Sequence, residues 1–316
     1  MICLACHKTI ESGTNMYHEA CLKEFWQDNK PVMQLEYGMS EIDQLAKENV
    51  AQRLIVTGVQ PKLSLGYNNE EINNNKRLTI VGALNGRFIL KPPFALHPEM
   101  PQIEALSMHL AKVCGVDTVP FLLIPLKDGE LAYLTRRIDR KPDGSKLAME
   151  DACQFTERLT EHKYRGSYEQ IAKGIKTYGY NPLIDIIRFY EQVIVSFLIG
   201  NNDMHLKNFS LIAEAPGNYS LTPVYDMISA QLLVDDPEEL ALNINGKKNR
   251  IKRTDFESAI AGSGIPNKAI QNTWKRIETG MTEWEQLINN SFLSIEKKEA
   301  FKELISKRAQ QINLKF

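Results

Sequence analysis

The sequence predicts an α+β protein in which a strand-rich stretch comes before a helix-rich one, with a small Cys/His segment ahead of both. Three observations predict it. Between about residues 50 and 135, short β-branched runs ("RLIVTGVQPKLSLGY", "LTIVGALNGRFILKPP", "FLLIPLKDGELAYLTRRI") alternate with turn signals. From about residue 147 onward, apolar residues recur at helical spacing. At the front, Cys3, Cys6, His18 and Cys21 form two closely spaced pairs. The 316 residues suffice for two lobes and a small appendage. A content of 43% hydrophobic and 24% charged residues is that of a globular chain, and the net charge of −1 gives no basic field for wrapping nucleic acid.

Taken in order, residues 1–35 read as a zinc knuckle, 36–140 as a sheet-rich lobe and 141–316 as a helical lobe. The first pair, Cys3-x2-Cys6, is followed by eleven residues and then His18-x2-Cys21. Three thiolates and one imidazole satisfy tetrahedral zinc, and such a site stabilises a segment too short to fold on burial alone. His7 is a rival ligand whose adjacency to Cys6 makes closure awkward. In the sheet-rich stretch, Asn85-Gly86 and Asp128-Gly129 predict hairpins between adjacent strands. "PQIEALSMHLAKVCGV" predicts a helix, with Pro101 at its start and Gly115 after its end.

Further on, "LIDIIRFYEQVIVSFLIG" is interrupted by Asp185, Arg188 and Glu191, which predicts a buried core helix rather than a membrane span. Two hairpin-like pieces follow, turning at Pro216-Gly217-Asn218 and at Asn245-Gly246. "TDFESAIAG" predicts a helix opened by a Thr254/Glu257 capping box, and two long amphipathic helices end the chain. Cys114 and Cys153 fall in helix-like segments and read as core thiols. The start lacks the n- and h-regions of a signal peptide, and five cysteines without an export signal suggest a reducing compartment. The expectation is a cytoplasmic protein without disulfides.

The chemistry concentrates in "GNNDMHLKNFSLI" (200–212). Asp203 and Asn208 have four residues between them, as in kinase catalytic loops, where the Asp receives the acceptor hydroxyl and the Asn holds magnesium. Asp and Asn are common in ordinary loops, so the spacing carries weight only with its sequel. That sequel, "FSLI" and "YSLTPVY", can fold back and deliver Asp226 beside Asn208, giving two hard oxygen ligands for magnesium. His205 and Lys207 add a ring and a cation. In the sheet-rich stretch, Lys91 ends a strand and Glu104 lies on the helix that follows, the pair by which kinases hold ATP phosphates. "TGVQPK" (57–62) offers Gly58 for close backbone approach to phosphate and Lys62 for charge.

In order and spacing, "TGVQPKLSL", "FILKPP", "QIEALSMHLAKVCGV", "RRIDR", "EDACQ", "NNDMHLKNFSLI", "LTPVYDMISA" and "LALNINGK" resemble HipA-like kinases, the toxin kinases of bacterial toxin–antitoxin modules. The resemblance covers roughly residues 50 to 310. It implies a two-lobed protein-kinase-like fold with a sheet-rich N-lobe and a mostly helical C-lobe, ATP and Mg2+ as cosubstrates, and phosphorylation of Ser or Thr on a protein, often an aminoacyl-tRNA synthetase. It implies Asp203 as the catalytic aspartate, Asn208 and Asp226 as magnesium ligands, and Lys91 as the ATP-phosphate lysine. Lys62 falls in the phosphate-loop motif with Thr57 and Gly58, and His205 lies near the nucleotide. Arg136 to Ile138 fall where the hinge would meet adenine, and Gln154 matches a recurring glutamine of underived role. Implied partners are a HipB-like DNA-binding antitoxin and, since only about fifty residues precede the phosphate loop as in the short HipT-like members, a separate small HipS-like protein. Neither membrane nor direct nucleic-acid binding is expected. Family members are often inactivated by self-phosphorylation on a serine near the phosphate loop. "LIVTG" has none, so Thr57 is the candidate and Ser64 the fallback.

Other readings stay open at this level. Asp-x-His-x-x-Asn loops also resemble those of phosphoinositide kinases, which would make the substrate a lipid or small molecule. A catalytically inactive binding module need not retain Lys91, Asp203, Asn208 and Asp226 together. A metal-dependent hydrolase built on the 203–226 residues leaves Lys91 and Glu104 unexplained.

Overall fold

The computed structural model describes the chain except for residues 12–14, 28–29, 43, 46–61, 68–77, 83–85, 142 and 214. The chain divides into two compact units. One comprises Met1–Ala105, Val119–Ser145 and Asn290–Phe292, and the other Leu106–Thr118, Lys146–Asn289 and Leu293–Phe316. The first is sheet-rich and the second helical, the α+β arrangement predicted by the sequence, with the Cys/His segment at the front of the first.

The sheet-rich unit holds a five-stranded antiparallel sheet formed by β1 (Leu63–Tyr67), β2 (Leu78–Ile80), β3 (Phe88–Lys91), β4 (Phe121–Pro125) and β5 (Leu131–Arg136), in the order β2-β1-β3-β5-β4. β4 and β5 form the predicted hairpin. Gly129, at φ +90°, takes the left-handed position, and Leu126 and Glu130 close the turn at 2.7 Å. The hairpin expected at Asn85-Gly86 is not formed. β2 and β3 flank β1 on opposite sides, with Leu65 opposite both Ile80 and Phe88. Gly86 instead lets the backbone pass close to β1, since a Cβ there would meet Ser64 Oγ at 1.9 Å. Asn85 lies outside the described residues.

Helix α1 (Glu19–Trp26) sends Phe25 and Trp26 into this core, where both rings pack on Phe88. The preceding segment lies along the β4 edge. The Leu123 N–H donates to the Leu4 carbonyl at 3.0 Å, and the Tyr17 hydroxyl donates to the Leu123 carbonyl at 2.8 Å. The free groups of an edge strand are thereby answered.

Helix α2 (Met100–Val113) starts and stops as predicted, with Gly115 at φ +81° after its end. In the helical unit a three-stranded sheet, β6 (Ala148–Asp151), β7 (Ser210–Ala213) and β8 (Tyr219–Leu221), runs in the order β6-β7-β8. β7 and β8 turn at Gly217 as expected. Short α3 (Ala152–Phe155) carries a reciprocal cap: Asp151 accepts from the Gln154 N–H, and the Gln154 side chain accepts from the Asp151 N–H. This gives Gln154 a structural role that its sequence position did not show.

Helices α4 (Tyr168–Tyr178) and α5 (Pro182–Leu198) follow, the latter the predicted buried helix with Pro182 at its first turn. At Asn245-Gly246 the expected turn forms, both residues having positive φ, but its ladder is the single bridge Ile244–Lys247. Helix α6 (Arg253–Gly262) does not use the Thr254/Glu257 box. Its N-cap is Lys252, two residues earlier, and buried Asp255 accepts from the Lys252 N–H at 2.8 Å while also holding Asn245 and Lys247. That carboxylate already anchors the preceding turn, so it takes the cap, and Glu257 pairs with Arg253 instead. Helices α7 (Asn267–Met281), α8 (Trp284–Asn290) and α9 (Ile295–Gln311) complete the unit. Cys114 and Cys153 are buried, as expected. Among the described residues, no helix is long and apolar enough to cross a membrane.

Candidate functional site

The loop after α5 is shaped by its own backbone. Gly200, at φ +70°, ends the helix, and buried Asn201 accepts from the Asp203 N–H through Oδ1 at 3.2 Å. The His205 N–H then donates to the Asp203 carbonyl at 2.8 Å and the Asn208 N–H to the His205 carbonyl at 3.0 Å. Met204, Leu206 and Phe209 point into the core, which leaves Asp203 exposed. His205 and Asn208 are buried, yet His205 Nδ1 and Asn208 Oδ1 have no hydrogen-bond partner among the described residues. Buried polar atoms are rarely left so, and an open amide oxygen suits a hard cation.

The β7–β8 hairpin carries the chain back to this loop. Tyr225 donates to the Lys207 carbonyl at 2.6 Å and shares a hydrogen bond with Ser210 at 2.8 Å, which fixes the neighbouring Asp226. Burial holds the His205 imidazole below its ordinary value, while the charges of Asp203 and Asp226 pull it upward. Asp203 and Asp226 thus both act on His205, Asn208 lies three residues on in the same loop, and the Asn208 and Asp226 oxygens are hard donors of the kind magnesium takes. The Lys207 ammonium pairs with Asp151 at 2.5 Å, tying the loop to the cap of α3. Sequence reasoning missed Tyr164, whose hydroxyl donates to Asp203 Oδ1. It also missed Asn201 and Asp151. No quoted motif contains Tyr164, and although Asp151 and Asn201 fall inside "EDACQ" and "NNDMHLKNFSLI", no sequence pattern assigns either a role.

In the sheet-rich unit, Lys91 at the end of β3 and Glu104 on α2 form an ion pair, with side chains 3% and 1% exposed. The Lys91 ammonium also lies 5.5 Å from the centre of the Tyr133 ring. Lys62 is half-buried just before β1. Thr57 and Gly58 lie outside the described residues. Ser64 is buried within β1, its hydroxyl against Gly86, so modification there requires the strand to open. The Arg136 side chain donates to the Phe25 carbonyl at 2.9 Å, holding the last turn of α1, and its N–H is taken by the Pro120 carbonyl at 3.0 Å. Ile138 is half-buried in the turn after β5.

At the front, the ligand atoms of Cys3, Cys6, His18 and Cys21 lie within 4.8 Å of one another. His18 Nε2 faces the Thr9 carbonyl at 3.2 Å, which sets the tautomer and turns the Nδ1 lone pair toward Cys6 Sγ at 3.3 Å. The His18 N–H points at Cys3 Sγ at 3.4 Å. Hydrogen bonds from the Cys21 and Cys6 side chains hold the Cys3 thiol far below its usual range, and the same contact with Cys3 pushes Cys21 up. The cluster fits a four-coordinate zinc knuckle. His7 is not part of it. It is buried edge-on to Phe292 at 5.3 Å.

Residues 54–284 match the HipA-like C-terminal domain. The chain is 29% identical over 252 residues to the Sinorhizobium fredii protein Y4dM, covering 74% of this chain and 60% of that one. It is 26% identical over 246 residues to the serine/threonine-protein kinase toxin HipA of Shewanella oneidensis, covering 71% of this chain and 55% of that one. It therefore spans little more than half the length of the curated relatives it matches. Among solved structures, a chain of the Shewanella oneidensis complex of HipA, HipB and operator DNA superposes with a TM-score of 0.68 at 21% identity, covering 90% of this chain and 74% of that one. The Helicobacter pylori proinflammatory kinase CtkA superposes with a TM-score of 0.58 at 17% identity, covering 89% and 95%. At these identities the likeness is one of fold. The family match extends from before β1 to the first residue of α8, and the chain belongs to the family of the HipA-like C-terminal domain.

Proposed function

We propose that the protein is an ATP- and Mg2+-dependent serine/threonine protein kinase acting as the toxin of a toxin–antitoxin module. The observation that carries this reading is the buried Asn208 oxygen, unpartnered among the described residues, five positions after exposed Asp203, with Asp226 returned to the same loop by a hairpin. Asp203 receives the proton of the acceptor hydroxyl. Asn208 and Asp226 hold the cation, and bound magnesium supplies charge neutralisation on the phosphates. Lys91, oriented by Glu104, holds the nucleotide phosphates together with Lys62, Thr57 and Gly58. His205, kept neutral by burial, lies beside the reacting groups, and Lys207 braces the loop through Asp151. Arg136 to Ile138 border the adenine. Thr57 is the self-phosphorylation site, where an added dianion would oppose ATP binding.

The Shewanella oneidensis HipA complex contains HipB and operator DNA, which supports a HipB-like antitoxin as partner here. A small HipS-like protein is the second proposed partner and an aminoacyl-tRNA synthetase the proposed target, so that activity arrests translation. The test is transfer of label from γ-labelled ATP in a bacterial lysate. Label should enter protein with the wild-type chain and should not with Asp203→Asn, which keeps Mg-ATP binding because this carboxylate acts mainly in the transition state. Label entering a soluble product instead would replace the protein substrate with a small molecule or lipid. Equal transfer by Asp203→Asn would remove Asp203 from the site.

A further inference from the structure

The turn between Arg158 and Gly166 grips the 200–208 loop at three points. The Lys163 carbonyl accepts from the Leu206 N–H at 3.1 Å. The Tyr164 ring stands edge-on to His205, with centres 4.9 Å apart at 77°. The Tyr164 hydroxyl donates to Asp203 Oδ1. The turn is itself braced: Arg158 bonds the Arg165 carbonyl and, at 2.8 Å, Gln170 Oε1, and its N–H meets the Cys153 carbonyl at 2.6 Å. The Lys163 ammonium lies 5.0 Å from the centre of the Tyr164 ring. Burial, reinforced by the Asp203 carboxylate, holds the phenol above its ordinary value, so it remains a donor at neutral pH.

Asp203 is exposed, and a short exposed side chain exchanges among staggered rotamers unless something holds it. Proton acceptance demands an oxygen within hydrogen-bond reach of the attacking hydroxyl. We propose that Tyr164 is a positioning residue: its hydroxyl fixes Asp203 through Oδ1, so that Oδ2 is presented to the acceptor hydroxyl. This inference rests on the reading of Asp203 as the proton-accepting group. Tyr164 itself touches neither phosphate nor acceptor. A hydrogen bond from a neutral donor to a carboxylate is strong enough to select one rotamer even where water competes. The braced turn carries the phenol, so the aim of Asp203 does not depend on the loop alone.

The test compares steady-state phosphoryl transfer from Mg-ATP by the full chain and its variants. Tyr164→Phe keeps the ring against His205 and near Lys163 while removing only the hydroxyl. Its kcat should fall about tenfold, the effect of one lost bond to a charged group, with KM for ATP within about twofold and an unchanged melting temperature. In an Asp203→Asn background the same change should cost nothing further, because there is no carboxylate left to aim. Tyr164→Leu, which also removes the ring, should lower both kcat and thermal stability. Wild-type kcat in Tyr164→Phe, or a loss independent of Asp203, would overturn the positioning role and leave Tyr164 a packing ring. Faster turnover would overturn it too, since the phenol would then be occupying the acceptor's place. Failure of the underlying reading is distinguishable: there Asp203→Asn itself would turn over like wild type.

Discussion

Lys91 and Glu104 in the sheet-rich unit are 3% and 1% exposed, and Asn208 and His205 in the helical unit are 6% and 7% exposed. Burial is nearly the same, but its terms differ. Lys91 and Glu104 answer one another, and the ligand atoms of the Cys/His cluster converge on a common point. In the 200–208 loop an amide oxygen and a ring nitrogen are buried without a partner among the described residues. Where polar groups answer each other, loss of one member should unfold structure. Where they stand open, loss should remove binding and leave structure alone.

The largest effect is expected at the cluster. The purified protein should contain about one zinc per chain, and structural zinc contributes on the order of 10 kcal/mol to a small site. Cys3→Ser should abolish stoichiometric zinc and loosen the segment. The loss should spread to β4 and the Phe25–Trp26–Phe88 cluster, because the segment covers that edge and those rings pack there. Metal analysis with hydrogen exchange on Leu123 checks both. Zinc-free protein with full protection at Leu123 would break this side of the comparison.

Next comes the ion pair. Lys91→Met removes the ion-pair partner of buried Glu104 and should cost about 3–5 kcal/mol in denaturant unfolding. Adding Glu104→Leu should recover most of that stability, since a buried pair replaced by apolar residues of similar volume is often neutral or better. Activity should not return with it. Recovery of stability without phosphoryl transfer would separate the pair's structural role from its proposed ATP-binding one.

The helical unit has an answered carboxylate of its own, less completely paired. Glu191 is buried, and its partner Arg276, 3.1 Å away, is half-exposed. Burial pushes Glu191 up from 4.5 to about 7, against the pull of Arg276 and Thr273. The folded chain therefore binds more protons than the unfolded chain between these values, and stability should decline as pH rises through that window. The full decline is about 3 kcal/mol. Glu191→Gln should flatten the dependence of melting temperature on pH between about 4.5 and 7. A wild-type profile in that variant would show that other groups set it.

What the sequence made legible follows the same division. Features closed over short stretches were readable: the Cys/His pairs, the β4–β5 turn, the helix after Pro101, and the placement of Lys91 and Glu104 thirteen residues apart. Features that depend on distant segments were not. Tyr164 meets Asp203 across 39 residues and Asp151 meets Lys207 across 56, and no local pattern marks either meeting. Gly86 looked like a hairpin residue because Asn-Gly usually is one. Its use is steric, set by Ser64 on a strand far from it in sequence. The Thr254/Glu257 box lost to Asp255 because that carboxylate was already committed to Asn245 and Lys247. At Gly86 and at the Thr254/Glu257 box, tertiary packing overrode a sound local signal.

The smallest effect on stability is expected at Asn208, and it tests the comparison most sharply. In an ordinary core, removing a buried amide forfeits hydrogen bonds and costs stability. Asn208 Oδ1 has none to forfeit among the described residues, so it already bears the cost of desolvation. Asn208→Leu keeps the branched outline with the same number of side-chain heavy atoms and removes that unsatisfied oxygen. Its stability without added cation should change by less than about 1 kcal/mol, in either direction. The wild-type chain should gain stability from Mg2+ with ATP, by mass action, because ligand binds the folded state alone. Asn208→Leu should lose most of that gain, as should Asp226→Asn. Thermal unfolding with and without Mg-ATP measures both quantities in one experiment. A large loss of intrinsic stability with the ligand response intact would reverse the assignment. Asn208 would then belong with Lys91 and Glu104 as an answered group, and the cation would have to be held elsewhere.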